Sequence, residues 1–174
     1  MKLFHVQSIL IVYNKSNMGY DTKFTGNFIL NEYLDLETKA LIDGLSSTRR
    51  LAIDTSKLPT KDSNLYGVEG EFYFIYNLFN SDREILLHDL NTPPSTQPGL
   101  WCQWIYDEET KSIMFDVDSE KFYNYVEWIT YLIKSVFAPK KYILNGKVEY
   151  FGGDIHDRGY IEIINNIVSV HEYS

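Results

Sequence analysis

The sequence predicts an α+β protein in which a mostly antiparallel sheet and two main helices form a two-layer sandwich. One observation is a stripe of apolar residues in the segment 120–137, spaced by steps of 4, 3, 4 and 3 residues as on one face of a helix. A second is the C-terminal third, where short alternating stretches are separated by the turn dipeptides Asn145-Gly146 and Asn165-Asn166. The third is the order strand, helix, two strands, helix, strands, which fits a sheet covered by helices. The expected topology is a ferredoxin-like core with an insertion at 48–100 and a C-terminal hairpin.

Local patterns predict the elements before this insertion. Residues 20–25 alternate between apolar and polar side chains, as in a half-buried strand, and Gly26 is expected to mark a bulge in it. Asp35 is a good N-cap for a helix from Leu36 to about Leu45.

The remaining elements follow from turn residues and from Pro139. A Pro-rich loop is expected at 91–99, and either Asp118 or Ser119 is expected to cap the long helix that Pro139 ends. The predicted strands are 71–78, 85–88, 101–106, 111–117, 142–144, 147–151, 159–164 and 167–172.

Composition and charge bound the class of protein. The chain has 174 residues, a single Cys and 16% aromatic residues, and its net charge is −8. One Cys allows no intrachain disulfide, which favours a reducing compartment, and no apolar run approaches the ~20 residues of a membrane span. The negative average field argues against a long nucleic acid as partner. We therefore expect a cytoplasmic protein, in the host cytoplasm if viral, with no membrane contact and with an oligomeric state that the sequence leaves open.

Six stretches carry a resemblance to known sequences: 19–26, 48–50, 97–104, 121–128, 142–150 and 157–159. In this order they resemble a widespread family of uncharacterised bacterial and viral proteins with the motifs GYDTxFxG, QPGLxCQW, FYxYxEW and LNGxVxxxG...DxG. The chain departs from the family at 139–141 and 150–151. The resemblance implies no activity. It implies that residues 1–17 are an N-terminal extension and that 18–174 form a single α+β domain, although the start of translation, Met1 or Met18, stays open.

The candidate ligand-binding residues lie around a cluster of Trp, Gln and Cys at 97–104. Exposed Trp and amide side chains beside a loop can stack on and hydrogen-bond a base or a peptide, although buried Trp and Gln side chains are the competing interpretation. The adjacent residues Arg49 and Arg50 have guanidinium groups suited to phosphate or carboxylate, or simply to the end of a helix. The candidate set is Arg49, Arg50, Asn91, Gln97, Trp101 and Gln103.

Other chemistry receives weaker support from the sequence. Cys102 lies in the middle of a predicted strand, where a buried and inert thiol is expected rather than a nucleophile. The residues Asp154, His156 and Asp157 could hold a cation but also suit a hairpin loop. No cofactor, metal site or catalytic residue is therefore assigned.

The function expected from these features is non-enzymatic binding of a protein partner or of a small anionic, nucleotide-like ligand. A role in conflict between virus and host or between bacteria fits the distribution of the family that the chain resembles. The alternative is a hydrolase or transferase, with or without a metal, that uses acid-base groups at Asp21, His88, Asp89 or His156.

Overall fold

The computed structural model describes residues 22–50, 92–119, 121–153 and 157–173. The predicted strands at 71–78 and 85–88, the segment 1–17 and most of the insertion lie outside the described residues. The elements, in chain order, are β1 (Lys23–Leu30), α1 (Leu36–Ser47), β2 (Trp104–Asp107), β3 (Ser112–Phe115), α2 (Tyr125–Leu132), a π-helical turn (Ile133–Phe137), a 3-10 turn (Ala138–Lys140), β4 (Leu144–Phe151), β5 (Arg158–Ile164) and β6 (Ile167–Glu172).

The described strands form one open sheet in the order β2-β3-β1-β4-β5-β6, and every neighbouring pair is antiparallel. Within it, β4-β1-β3-β2 and the two helices have the strand order and the βαββαβ succession of a ferredoxin-like core. The β5–β6 hairpin extends this core beyond β4. The predicted α+β fold is therefore confirmed.

One face of the sheet carries the hydrophobic core, because buried side chains recur at every second position in β4 and β5. The helices contribute the second layer through Ile42 and Leu45 of α1 and through Trp128, Ile129 and Leu132 of α2. The sheet contributes these buried side chains: Phe28, Leu30, Trp104, Tyr106, Ile113, Leu144, Val148, Tyr150, Ile161 and Ile163.

An aromatic cluster around Trp104 joins β2 to the segment before α2. The Trp104 ring makes edge contacts with Phe24, Phe28 and Phe122 at centroid distances of 5.3 to 5.8 Å. Its indole N–H donates to the carbonyl of Tyr125 at 2.9 Å, so the one polar atom of the buried ring is satisfied. Such ring pairs contribute about 0.5–1.5 kcal/mol each beyond burial of their surface.

The second helix begins later than the sequence predicts. Neither Asp118 nor Ser119 caps it, because both hydrogen-bond to Asp116 in a turn that follows β3. The chain then places Phe122 in the aromatic cluster, and α2 starts only after Asn124, which has a positive φ of 56°. The predicted end near Pro139 is confirmed, since helical backbone stops within the 3-10 turn at Ala138–Lys140.

Two glycine predictions are wrong for one shared reason, the close approach of β1 and β4. Asn145-Gly146 is not a turn, because β4 runs without interruption from Leu144 to Phe151. Gly26 marks no bulge, because its register against β4 is continuous. Gly26 and Gly146 have φ angles of +107° and +141°, and a Cβ on Gly146 would lie 2.6 Å from the carbonyl oxygen of Asn27. Both positions thus need glycine for backbone geometry inside paired strands.

The predicted turn at Asn165-Asn166 is confirmed. Both residues have positive φ angles, 50° and 67°, as a type I′ turn between antiparallel strands requires. The side chain of Asn166 accepts from the N–H of Leu144 at 2.7 Å and donates to the carbonyl of Tyr142 at 2.8 Å. These bonds attach the tip of the β5–β6 hairpin to the start of β4.

Within the described ranges, no helix combines the length and the apolar character needed to cross a lipid bilayer.

Candidate functional site

Arg50 is the residue that joins the end of α1 to the loop before β2. Its backbone N–H donates to the carbonyl of Leu100 at 2.7 Å, which brings the two segments side by side. Its side chain is fully buried, with Nε donating to Oε1 of Gln97 at 2.7 Å and a terminal nitrogen donating to Oγ1 of Thr48 at 3.1 Å. A buried guanidinium in such contacts fixes the loop in place rather than facing solvent.

Gln97 has an orientation that its partner dictates. A guanidinium offers only donors, so the amide oxygen of Gln97 must face Arg50 and its nitrogen must point the other way. That nitrogen is buried and finds no hydrogen-bond partner among the residues that the structure describes. A buried donor without a partner costs about 1–3 kcal/mol, so this loop conformation is held by other contacts.

Arg49 and Trp101 form the exposed part of the candidate site. The Arg49 guanidinium carbon lies 5.9 Å from the centroid of the Trp101 ring, a cation–π distance. Trp101 is 43% exposed, whereas Arg49 is half-buried. The structure therefore places a positive charge against a partly exposed indole ring.

The other two candidate residues, Gln103 and Asn91, are not part of this group. The side chain of Gln103 is buried and donates to the carbonyl of Lys121 at 3.5 Å, in the segment leading to α2. Asn91 lies outside the described residues. The structure thus groups four of the six candidates, namely Arg49, Arg50, Gln97 and Trp101.

A groove of about 520 Å³ lies on the other side of the same loop, and the sequence reasoning missed it. The loop is attached to the start of α2 by the Asn124 side chain, which donates to the carbonyl of Pro98 at 2.7 Å. Polar side chains face the groove from both walls, including Gln97 on the loop and Thr130 and Lys134 on the helical side. In the sequence, the polar residues of this wall look like the ordinary solvent-exposed face of a helix, so they did not indicate a groove.

Cys102 is inert in this arrangement, as the sequence predicts. It is fully buried, and burial raises the pKa of its thiol to about 12. A thiol that stays protonated at neutral pH is neither a nucleophile nor a metal ligand.

The described part of the chain contains no cluster of potential metal ligands. In that part, no three His, Cys, Asp or Glu residues lie close enough to hold a metal ion. Asp154 and His156 lie outside the described residues, as do the acid-base candidates Asp21, His88 and Asp89.

Comparisons with protein-family models, with curated proteins and with solved structures found no match to this chain. Membership of the family that its motifs resemble therefore stays a prediction.

Proposed function

We propose that the protein binds a small anionic ligand with a planar ring, such as a nucleotide, and does so without catalysing a reaction. The observation that carries this proposal is the exposed indole of Trp101 beneath the guanidinium of Arg49. An aromatic base can stack on the exposed part of the indole while a phosphate meets the guanidinium beside it.

The magnitudes of these contacts favour a ligand that has both a ring and a charge. Stacking of a base on an aromatic side chain contributes about 1–3 kcal/mol, and a hydrogen bond to a charged group contributes about 1.5–3 kcal/mol. Neither contact alone offsets the cost of association, which is at least about 4 kcal/mol, whereas the two together can just exceed it. A nucleoside or a bare phosphate is therefore a much weaker ligand than the nucleotide.

The net charge of −8 favours a small ligand over a long polyanion. At physiological salt the average field is screened beyond about 8 Å, so a compact anion feels mainly the nearby guanidinium. A polymer would extend over the acidic remainder of the surface and be repelled there.

The buried pair of Arg50 and Gln97 supports the site without touching the ligand. It connects the end of α1 to the loop that carries Trp101, so the two halves of the surface keep their relative position. A site held in advance loses less conformational entropy on binding. We propose that this binding occurs in the cytoplasm, as the single Cys favours.

The test is titration of the purified protein with nucleoside mono-, di- and triphosphates and cyclic dinucleotides, followed by calorimetry and thermal shift. Nucleosides and pyrophosphate serve as part-ligands. We expect at least one nucleotide to bind, and we expect Arg49→Ala and Trp101→Ala each to weaken it by about tenfold or more, with unchanged circular dichroism.

Tyr33→Ala is the matched control, because Lys111 lies 5.6 Å over the exposed Tyr33 ring in a pair of the same chemistry elsewhere on the surface. This variant should bind the nucleotide as the wild type does. The proposal is wrong if no nucleotide binds, or if Trp101→Ala binds as well as wild type. If no nucleotide binds but a protein partner binds in a way that depends on Trp101, the ligand of this site is a protein and the proposal is wrong.

A further inference from the structure

The strand β6 forms one edge of the described sheet and presents unpaired backbone groups. The N–H of Tyr173 donates to the carbonyl of Arg158 at 2.8 Å, which marks these two as a hydrogen-bonded pair across β5 and β6. Such pairs alternate along an antiparallel ladder, so the backbone groups of Ser169 face β5. The N–H and C=O groups of Val168, Val170 and Glu172 consequently face away from the sheet.

Two apolar side chains of this edge are exposed. Ile167 is 71% exposed and Val170 is 45% exposed, and both are β-branched residues that favour strands. Edge strands are normally protected by Lys, Pro, a bulge or an inward charge. The segment 167–171 contains no Lys or Pro, and its register against β5 runs without a bulge.

The opposite edge of the described sheet is protected in the usual way. β2 has four residues, ends at Asp107 and is followed at once by Glu108 and Glu109. β6 is longer, with six residues, and its one acidic residue, Glu172, is the last, so β6 is the more open edge for pairing.

The β6 edge is also rigid before any pairing takes place. Besides the bonds of Asn166 to the start of β4, the N–H of Asn165 donates to the side chain of Asn145 at 2.7 Å. A strand held in this way loses little conformational entropy when a second strand is added to it.

We propose that β6 pairs antiparallel with β6 of a second copy of this chain, across a two-fold axis that passes between the two Ser169 residues. In this register each Val168 faces Val170 of the other copy, and each Ile167 faces His171. The two sheets become one continuous sheet, and both copies keep their helices on the same face.

Charge and side-chain fit favour this occupant and this register. With His171 neutral the segment 167–171 carries no charge, so two copies can meet there although each has a net charge of −8. Moving the axis to Val170 would set Glu172 against the apolar Val168, which costs desolvation of the carboxylate. The chosen register covers the exposed half of Val170 with another valine.

The interface consists mainly of backbone hydrogen bonds and two valine pairs, so it is small. Interfaces below about 1,200 Å² form weak and transient complexes, and we expect a dissociation constant of roughly 10–100 µM. The equilibrium should therefore be visible by sedimentation at high protein concentration and vanish on dilution.

Disulfide cross-linking tests the register in the intact protein. Ser169→Cys places two thiols opposite each other at a Cα separation of about 4.5 Å, within disulfide range. His171→Cys is the matched control on the same strand and face, but its two copies would be about 13 Å apart. The native Cys102 is buried and does not interfere.

Under mild oxidation we expect Ser169→Cys to form a covalent dimer at least fivefold faster than His171→Cys. Equal rates would overturn the proposal, since they would indicate random collision. Val170→Pro tests the pairing by sedimentation, because Pro removes only an N–H that faces away from β5. This variant should stay folded by circular dichroism and be monomeric at every concentration. A wild-type protein that is monomeric at 500 µM, or a Val170→Pro variant that dimerises like wild type, would equally overturn the proposal.

Discussion

Removal of the Asp35 carboxylate should destabilise the fold in a pH-dependent way. Asp35 precedes α1, and its side chain accepts from the backbone N–H of Thr38 at 2.7 Å. It also meets Lys140 at 3.3 Å and accepts from the hydroxyl of Tyr142 at 3.2 Å, so it links the start of α1 to the end of the second helix. The N–H of Thr38 is the main cause that lowers the pKa of Asp35 from 3.8 to about 2, and Lys140 contributes as well.

The expected magnitude combines the cap with the charge. Loss of an N-cap side chain costs about 0.5–2 kcal/mol, so Asp35→Ala should lower the free energy of unfolding by about 1–2 kcal/mol at pH 7. The lowered pKa alone would be worth about 2 kcal/mol without screening. Because the side chain is 50% exposed, we expect solvent to reduce this contribution to about 1 kcal/mol. Asp35→Asn keeps the cap acceptor and loses only the charge, so it should cost about 1 kcal/mol.

The pH dependence has a definite sign. A carboxylate whose pKa is lower in the folded state contributes fully above its unfolded pKa of 3.8, and the contribution is lost as the pH falls through about 2. Urea unfolding of wild type and Asp35→Asn at pH 7, 4.5, 3.5 and 2.5 measures the difference directly, and other acids cancel in it. The difference should be constant down to about pH 4 and then shrink. A difference that is zero at pH 7, or that grows in acid, would refute this account.

Two further predictions concern Gly26 and Cys102. Gly26→Ala should lower the free energy of unfolding by about 1–3 kcal/mol in urea titrations, because φ is +107° and a Cβ would collide with the carbonyl of Lys147. Thr25→Ala on the same strand is the control. Equal losses of stability in the two variants would contradict the backbone explanation. Cys102 of the native protein should resist alkylation by iodoacetamide at pH 8, because burial raises the pKa of its thiol to about 12. Labelling of the native protein as fast as in 8 M urea would contradict the burial of this thiol.

Features with a local physical cause could be read from the sequence. Asp35 caps α1 through a bond to a residue three positions later, and the Asn165-Asn166 turn needs only residues that tolerate positive φ. The apolar stripe of the segment 120–137 likewise indicated a helix that packs on the sheet. These features together determine the α+β class and the hairpin that extends the ferredoxin-like core.

Features with a distant cause could not be read from it. Gly146 has a positive φ because the backbone of Asn27 lies against it, and the two residues are far apart in sequence. The same dipeptide chemistry that makes a turn at Asn165-Asn166 therefore sits inside a continuous strand at Asn145-Gly146. In the same way, the start of α2 is delayed because Phe122 packs against rings from three other segments.

The candidate site shows that residue types alone do not predict which side chain is buried and which is exposed. Arg49 and Arg50 are adjacent and chemically identical, yet Arg50 is buried against Gln97 while Arg49 lies over an exposed indole. The N–H of Arg50 donates to the carbonyl of Leu100, and its side chain is fully buried behind this contact, whereas Arg49 is half-buried. Because Arg50 holds the loop and Arg49 belongs to the proposed binding surface, we expect Arg50→Ala to lose stability and Arg49→Ala to lose binding.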